Sequence, residues 1–164
     1  AVPPLYLNEN FKEGIALYRE IEEAGMEGII AKKRGSPYRC GEKTTDWLKI
    51  KPRRRQLCVV GGVSMAEGQV SSLLLGAYRA GELIYIGKAG SGLKKDDLLL
   101  LRGYARRAGV GEPPFRNPPR GGDLVWTEPR LAVEIEFAEW TGDLRLRAPV
   151  VAGFSKRAPA EALL

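Results

Sequence analysis

The run Trp47-Leu-Lys-Ile-Lys51 sets two lysines at alternate positions among apolar residues. Its β-branched and aromatic content gives it strand character. Side chains alternate faces along a strand, so Trp47, Lys49 and Lys51 share one face while Leu48 and Ile50 share the other, a face that can be buried. Two ammonium groups then sit roughly 6–7 Å apart along the strand, about the span of a phosphate group. Such a pair could neutralise phosphate charge, or it could be the solvated side of an edge strand, where lysines discourage edge-to-edge pairing. A second strand-like segment, Glu27-Gly-Ile-Ile-Ala-Lys32, precedes it across a short loop. Glu27 has two readings: a hydrogen-bond acceptor at a turn, or a ligand for a divalent metal beside a polyphosphate, since Mg²⁺ prefers carboxylate and phosphate oxygens. Lys32 has the opposite strand parity to Glu27. Either one of them lies beyond the regular strand, or only one faces the phosphates.

The elements that must position these groups follow in chain order. Residues 1–10 read as an extended, proline-containing lead-in. Asn10 and Glu13 have capping-box spacing at a helix start. Phe11, Ile15, Tyr18 and Ile21 recur at helical spacing, Gly25 stops the helix, and this apolar face is expected to pack on the sheet that carries the lysines. Arg34 to Asp46 is a polar loop with turns at Gly35, Pro37 and Gly41. Pro52 and Arg53-Arg-Arg55 form a linker, either a solvated hinge or a clamp on phosphates. Strands are expected at Gln56–Ser64, Val70–Arg79 and Glu82–Lys88, with a bulge or sharp coil at Gly61-Gly62. Gly87-Lys-Ala-Gly-Ser-Gly92 lacks the spacing of a phosphate loop and reads as a flexible turn before a helix over Lys94–Ala108. That helix has Leu98, Leu101, Ala105 and Ala108 on one side, and Arg102, Arg106 and Arg107 elsewhere. A proline-rich connection over Pro113–Pro119 leads to strands at Leu124–Thr127, Leu131–Trp140 and near Leu146–Ala152. Antiparallel strands with one helix midway fit a five-stranded Greek-key barrel.

Composition sets the bounds. The 164 residues are 44% hydrophobic and 28% charged, ordinary for a globular chain, with no apolar run long enough to cross a bilayer and no signal peptide visible. Cys40 and Cys58 make no metal-ligand spacing and the chain has no histidine, which excludes a structural zinc site and suggests reduced, cytoplasmic thiols. The net charge of +6 is unevenly spread: residues 1–51 hold nine basic and eight acidic side chains, and residues 52–164 hold 17 and 12. The excess in the second part suggests a polyanionic partner.

Glu27-Gly-Ile-Ile-Ala-Lys32, then Ser36-Pro-Tyr38, then Trp47-Leu-Lys-Ile-Lys51, in that order and within about 25 residues, resemble motifs IV and V of the ATP-dependent DNA ligases. Val59-Val-Gly-Gly62, Leu73 to Tyr78, Tyr85 to Gly92 and Ala138-Glu-Trp-Thr-Gly-Asp143 resemble the second ligase domain in the style of the bacterial end-joining ligase D. The resemblance implies a chain that is mainly β with α: residues 1–52 as the end of a nucleotidyltransferase (ATP-grasp-like) α+β adenylation domain, and residues 53–164 as an oligonucleotide-binding (OB-fold) barrel with one helix. It implies ATP, passing through an AMP intermediate, and Mg²⁺ or Mn²⁺ as cofactors. It casts Glu27, Lys49 and Lys51 as catalytic, with Glu27, Lys32, Lys49 and Lys51 contacting the nucleotide and Glu27 the metal. Resemblance and charge together make Arg53, Arg54, Lys88, Arg102, Arg106 and Arg147 the candidate contacts to DNA. The implied partners are nicked or broken duplex DNA, the remaining N-terminal part of the ligase and a Ku-type end-binding protein. The implied location is the cytoplasm, on the nucleoid in a bacterium.

In the resembled family a lysine attacks the α-phosphate of ATP and carries AMP; the AMP passes to a 5′-phosphate at a break, and the 3′-hydroxyl displaces it. The family places that lysine in a Lys-x-Asp-Gly segment before motif IV, which this chain does not contain. The chain alone is therefore expected not to adenylylate itself, the rest being supplied by a longer protein or another chain. Arg147-Ala-Pro-Val-Val-Ala-Gly-Phe154 resembles the start of motif VI, but Ser155, Lys156, Arg157 and Ala158 stand where an arginine and an Asp-Lys pair usually follow. That motif grips the ATP pyrophosphate, so the departure weighs on reaction with ATP; Arg157 could substitute in part. Two alternatives remain open: a barrel that only binds nucleic acid, and an RNA-ligating or RNA-capping relative.

Overall fold

A computed structural model describes residues 9–164; nearly all of the lead-in expected over residues 1–10 lies outside them. The chain divides into two compact units, Ala1–Pro52 and Arg53–Leu164.

In the first unit, helix α1 spans Gly14–Glu23. Its N-cap is Glu13, with no side-chain cap bond, so the capping box expected from Asn10 and Glu13 does not form. The C-terminus ends as expected: Gly25 takes φ +65, and the Gly25 and Met26 amides donate to the Glu22 and Ile21 carbonyls at 3.1 and 2.9 Å, a Schellman closure. Helix α1 contacts the strand β1 (Ile29–Lys32), and Ile21 is its buried residue. The rest of the predicted apolar face is not covered, for Phe11 is 58% and Ile15 76% exposed. Strand β1 pairs antiparallel with β2 (Trp47–Ile50), Ile30 opposite Lys49 and Lys32 opposite Trp47. The face of Leu48 and Ile50 could be buried by its pattern, but these residues are 55% and 39% exposed. A two-stranded ribbon with one short helix supplies too little chain to cover both faces.

The second unit is built on β3 (Arg54–Ala66), β4 (Gln69–Arg79), β5 (Glu82–Ala89), helix α2 (Lys95–Arg107), β6 (Asp123–Phe137), the short pair β7 (Glu139–Trp140) and β8 (Leu146–Arg147), and β9 (Val150–Ser155). The main sheet is ordered β5-β4-β3-β6-β9 with every pairing antiparallel. Glu67-Gly68 and Ala80-Gly81 all have positive φ, the backbone of two-residue hairpin turns whose twist matches the strands they join. The ends of the sheet approach each other where the Val151 amide donates to the Ser91 carbonyl at 2.8 Å. Gly92, at φ +90, lies so close to Val151 that a Cβ there would overlap its carbonyl oxygen. The Gly87–Gly92 turn is thus a clamp as well as a lead into α2. Helix α2 starts as its acidic first turn suggests, the Asp97 carboxylate accepting the Lys94 amide at 2.8 Å, and it buries Leu101 and Ala105.

Strand β3 is buried on both faces from Cys58 to Val63, because one side packs with Leu73, Leu75, Ile86, Leu101 and Val133 and the other with Leu74, Leu83, Tyr85 and Phe115. The bulge expected at Gly61-Gly62 is present in both ladders of β3. The Phe115 ring, contributed by the proline-rich connection, fills the space beside it: a Cβ on Gly61 would overlap that ring, and one on Gly76 would crowd it. The expected break between Thr127 and Leu131 is not a break. Strand β6 runs on for 15 residues through Pro129, and its partners on β3 jump from Trp126 opposite Gly62 to Leu131 opposite Val60. The residues between leave β3 and turn to the end of α2, where the Glu128 amide donates to Ala108 O at 2.8 Å and the Val110 amide to Trp126 O at 3.0 Å. Proline is tolerated there because it sits where the ladder has already parted. The single last strand expected near Leu146–Ala152 is instead β8 and β9. Both cysteines are free, Cys40 exposed and Cys58 buried; burial pushes the Cys58 thiol up to about 12, so it stays a neutral core group. No helix among the described residues is long and apolar enough to cross a membrane.

Candidate functional site

Cross-strand partners in an antiparallel ribbon share a face. The register of β1 and β2 therefore puts Lys32, Trp47 and Lys49 on one surface, which Lys51 continues just past the end of β2. A regular extension of the ladder would set Gly28 opposite Lys51 and turn Glu27 to the other side. Gly28 prevents this. Its φ is +145 and it runs so near Ile50 that a Cβ would overlap the Ile50 carbonyl oxygen. A side chain is excluded by contact as well as by dihedral, and the turn swings Glu27 round to the lysine surface. The parity conflict between Glu27 and Lys32 is thereby resolved: Glu27 lies beyond the regular strand.

The Glu27 carboxylate lies between both lysines. Its Oε1 is 2.8 Å from Lys49 Nζ and 2.9 Å from Lys51 Nζ, the short range of charge-assisted hydrogen bonds. Hydrogen bonds from Lys49 and then Lys51, with the charge of both, hold the Glu27 carboxyl down to about 2. Lys32 belongs to the same surface but is held differently: its Nζ lies 4.4 Å from the centre of the Trp47 ring, a cation–π contact. Trp47 in turn is fixed by its indole N–H, which donates to Ser36 Oγ at 3.0 Å, while Ser36 Oγ donates to Lys33 O at 2.7 Å. Tyr38 leans on Trp47 with ring centroids 5.5 Å apart. The Ser36-Pro-Tyr38 segment thus anchors the indole that orients Lys32. That role and the part played by Gly28 were not read from the sequence; the glycine directly after a strand-entry glutamate was the available signal.

The remaining candidates lie in the second unit and are dispersed. Arg54 opens β3, Lys88 lies on β5, Arg102 and Arg106 on α2 and Arg147 on β8. Arg102 bonds Gln69 Oε1 at 3.3 Å and Arg147 bonds Glu139 Oε1 at 2.5 Å. Among the described residues, Arg53, Arg54, Lys88 and Arg106 have no salt-bridge partner. Arg157, following β9, is engaged by Glu161 at 3.0 Å. Ala138 to Asp143 is a structural turn: Trp140 packs edge-on against Phe137 at 5.2 Å, and Thr141 bonds back to Arg145. No group of three His, Cys, Asp or Glu side chains that could hold a metal occurs among the described residues. The one carboxylate on the lysine surface, Glu27, is engaged by two lysines and would have to leave them to meet a divalent ion.

The family model described as "ATP dependent DNA ligase domain" matches residues 7–51, and that described as "ATP dependent DNA ligase C terminal region" matches residues 66–157. The chain is 35% identical over 130 residues to the multifunctional non-homologous end joining DNA repair protein LigD of Mycobacterium tuberculosis H37Rv, an alignment covering 75% of this chain and 17% of that protein. Among solved structures it is similar to the ligase domain of M. tuberculosis LigD, with a TM-score of 0.66 and 31% identity over 93% of this chain and 52% of that one. It is also similar to mycobacterial DNA ligase D complexed with ATP and MES, with a TM-score of 0.63 and 31% identity over 92% and 51%. The chain thus spans about half of those solved chains and a much smaller share of the full-length relative. Matched on both sides of the boundary between its two units, with the lysine ribbon inside one match and strands β4 to β9 of the OB-fold-like barrel inside the other, the chain belongs to the ATP-dependent DNA ligase family.

Proposed function

We propose that this chain is the part of an ATP-dependent DNA ligase that neutralises nucleotide phosphates with one unit and holds duplex DNA with the other, in the repair of breaks by end joining. The observation that supports it is the convergence of Lys49, Lys51 and Glu27 at 2.8–2.9 Å on the ribbon matched by the ligase domain model. Lys49 and Lys51 offer two ammonium groups to phosphate oxygens on which charge shifts during nucleotidyl transfer, a form of stabilisation worth orders of magnitude in rate. Lys32, stacked on Trp47, adds a third cation on the same face. The amine that carries AMP is assigned to a Lys-x-Asp-Gly segment outside this sequence. Mg²⁺ or Mn²⁺ beside the phosphates would be met by Glu27 once its carboxylate has left the lysines. Arg53, Arg54, Lys88, Arg102, Arg106 and Arg147 are the assigned contacts to the DNA backbone, which position the duplex and carry little sequence preference. A Ku-type partner and a nucleoid-associated, cytoplasmic site follow only from the similarity to LigD proteins.

The test joins this chain to the Lys-x-Asp-Gly-bearing half of the M. tuberculosis LigD ligase domain and follows sealing of nicked DNA, nicked RNA and hybrid duplexes. Sealing of nicked DNA that falls at least about a hundredfold in Lys49→Ala or Lys51→Ala is the expected result. Binding to nicks without sealing would favour a non-catalytic module, and preferential sealing of RNA would favour the RNA-ligating relatives.

A further inference from the structure

Both ammonium groups of the ribbon meet the same carboxylate oxygen, Glu27 Oε1, at 2.8 and 2.9 Å. That is also how two lysines would grip one anionic phosphate oxygen. The arrangement lies open to ligand: the side chains of Glu27, Lys49 and Lys51 are 72%, 50% and 44% exposed. Nothing in the core need open for an anion to reach it, and exposed ion pairs of this kind are held weakly. Glu27 is delivered to the lysines by the turn at Gly28 rather than by the strand itself, so it can leave while Lys49 stays fixed in register opposite Ile30.

We infer that Glu27 is an internal stand-in for phosphate, a positioning residue that occupies the two-lysine cradle at rest and is displaced when a phosphate oxygen enters. The carboxylate keeps two like charges from repelling each other apart on a single face, and it sets the threshold an incoming anion must exceed. A monoanionic carboxylate of another small molecule brings no more charge than Glu27 and lacks its tether, whereas a phosphate or pyrophosphate group brings more charge and more oxygens to the same two ammonium groups. The cradle therefore favours polyphosphate over carboxylate ligands without any pocket of selective shape. The inference rests on the proposed ligase reading for the source of the phosphate, and on this chain's own geometry for the exchange.

The experiment uses the chain itself and inorganic pyrophosphate, titrated by calorimetry at low ionic strength, where exposed charges are least screened. Glu27→Gln removes the competing charge while keeping the side-chain length, and is expected to tighten pyrophosphate binding about three- to tenfold. Adding Lys49→Met to Glu27→Gln is expected to abolish the gain. Glu27→Asp, too short to reach both ammonium groups, is expected to fall between wild type and Glu27→Gln. Hydrogen-exchange protection of the Ala31 and Leu48 amides checks that each variant keeps the ribbon folded. Equal or weaker binding by folded Glu27→Gln would overturn the exchange, showing instead that the carboxylate assembles the cradle for its ligand; absence of pyrophosphate binding in every variant would overturn it also. Tighter binding by Glu27→Gln together with no sealing by the joined enzyme would leave the exchange standing and remove the ligase reading.

Discussion

Glu27 is the residue of the lysine surface whose chemistry departs from its ordinary behaviour. With its carboxyl held down to about 2 by Lys49 and then Lys51, the folded-state value is depressed. The ion pairs are therefore fully formed above the usual carboxylate range and are lost only as pH falls through about 2. A carboxyl-carbon NMR titration of the intact chain is expected to show Glu27 still ionised below the ordinary carboxylate range. Lys49→Met should move the Glu27 midpoint back toward the ordinary carboxylate range, and Lys51→Met should move it in the same direction by a smaller step. A Glu27 midpoint within the ordinary carboxylate range would show that the contacts do not persist in solution. The lysines themselves were legible from sequence because alternation along a strand has a period of two. The convergence on one carboxylate was not, since it depends on a turn that no periodicity announces.

At the scale of elements, that turn is the test. Gly28 needs both a positive φ and the absence of a side chain against Ile50. Gly28→Ala is expected to destabilise the β1–β2 ribbon by about 1–3 kcal/mol, seen as lost hydrogen-exchange protection at Ala31 and Leu48, and to raise the Glu27 midpoint by moving it off the lysines. The barrel's own amides should be unaffected. Strands β3, β4 and β5 were readable almost to their ends, because apolar runs broken by Glu-Gly and Ala-Gly leave few other structures open. Strand β6 was misread at Pro129, where a rule about missing N–H donors met a segment whose donors had already been redirected to the end of α2. The apolar face of α1 was legible as a pattern and misleading as a prediction of burial. Phe11 and Ile15 keep helical spacing whether or not anything covers them.

At the scale of the whole chain, charge gives the measurable consequence. The candidate DNA contacts Arg53, Arg54, Lys88, Arg102, Arg106 and Arg147 number six, and two of them already have partners within the protein. If most engage phosphates, the logarithm of affinity for nicked duplex should fall with the logarithm of salt concentration at a slope of about −3 to −5. Arg54→Ala or Arg106→Ala should each flatten that slope by about one. A slope near zero would remove the barrel from DNA binding. The division into a near-neutral first part and a basic second part was countable in the sequence, whereas the position of each arginine on its element needed the fold. Phe115 shows how far such dependence reaches. Its ring stands where Gly61 and Gly76 have no side chains, so these three positions, widely separated along the chain, form one lock. A descendant of this protein can acquire alanine at Gly61 only once position 115 has shrunk, and at Gly76 only once Leu83 has given way as well, so the order of those changes is dictated by steric volume before selection on ligation can act.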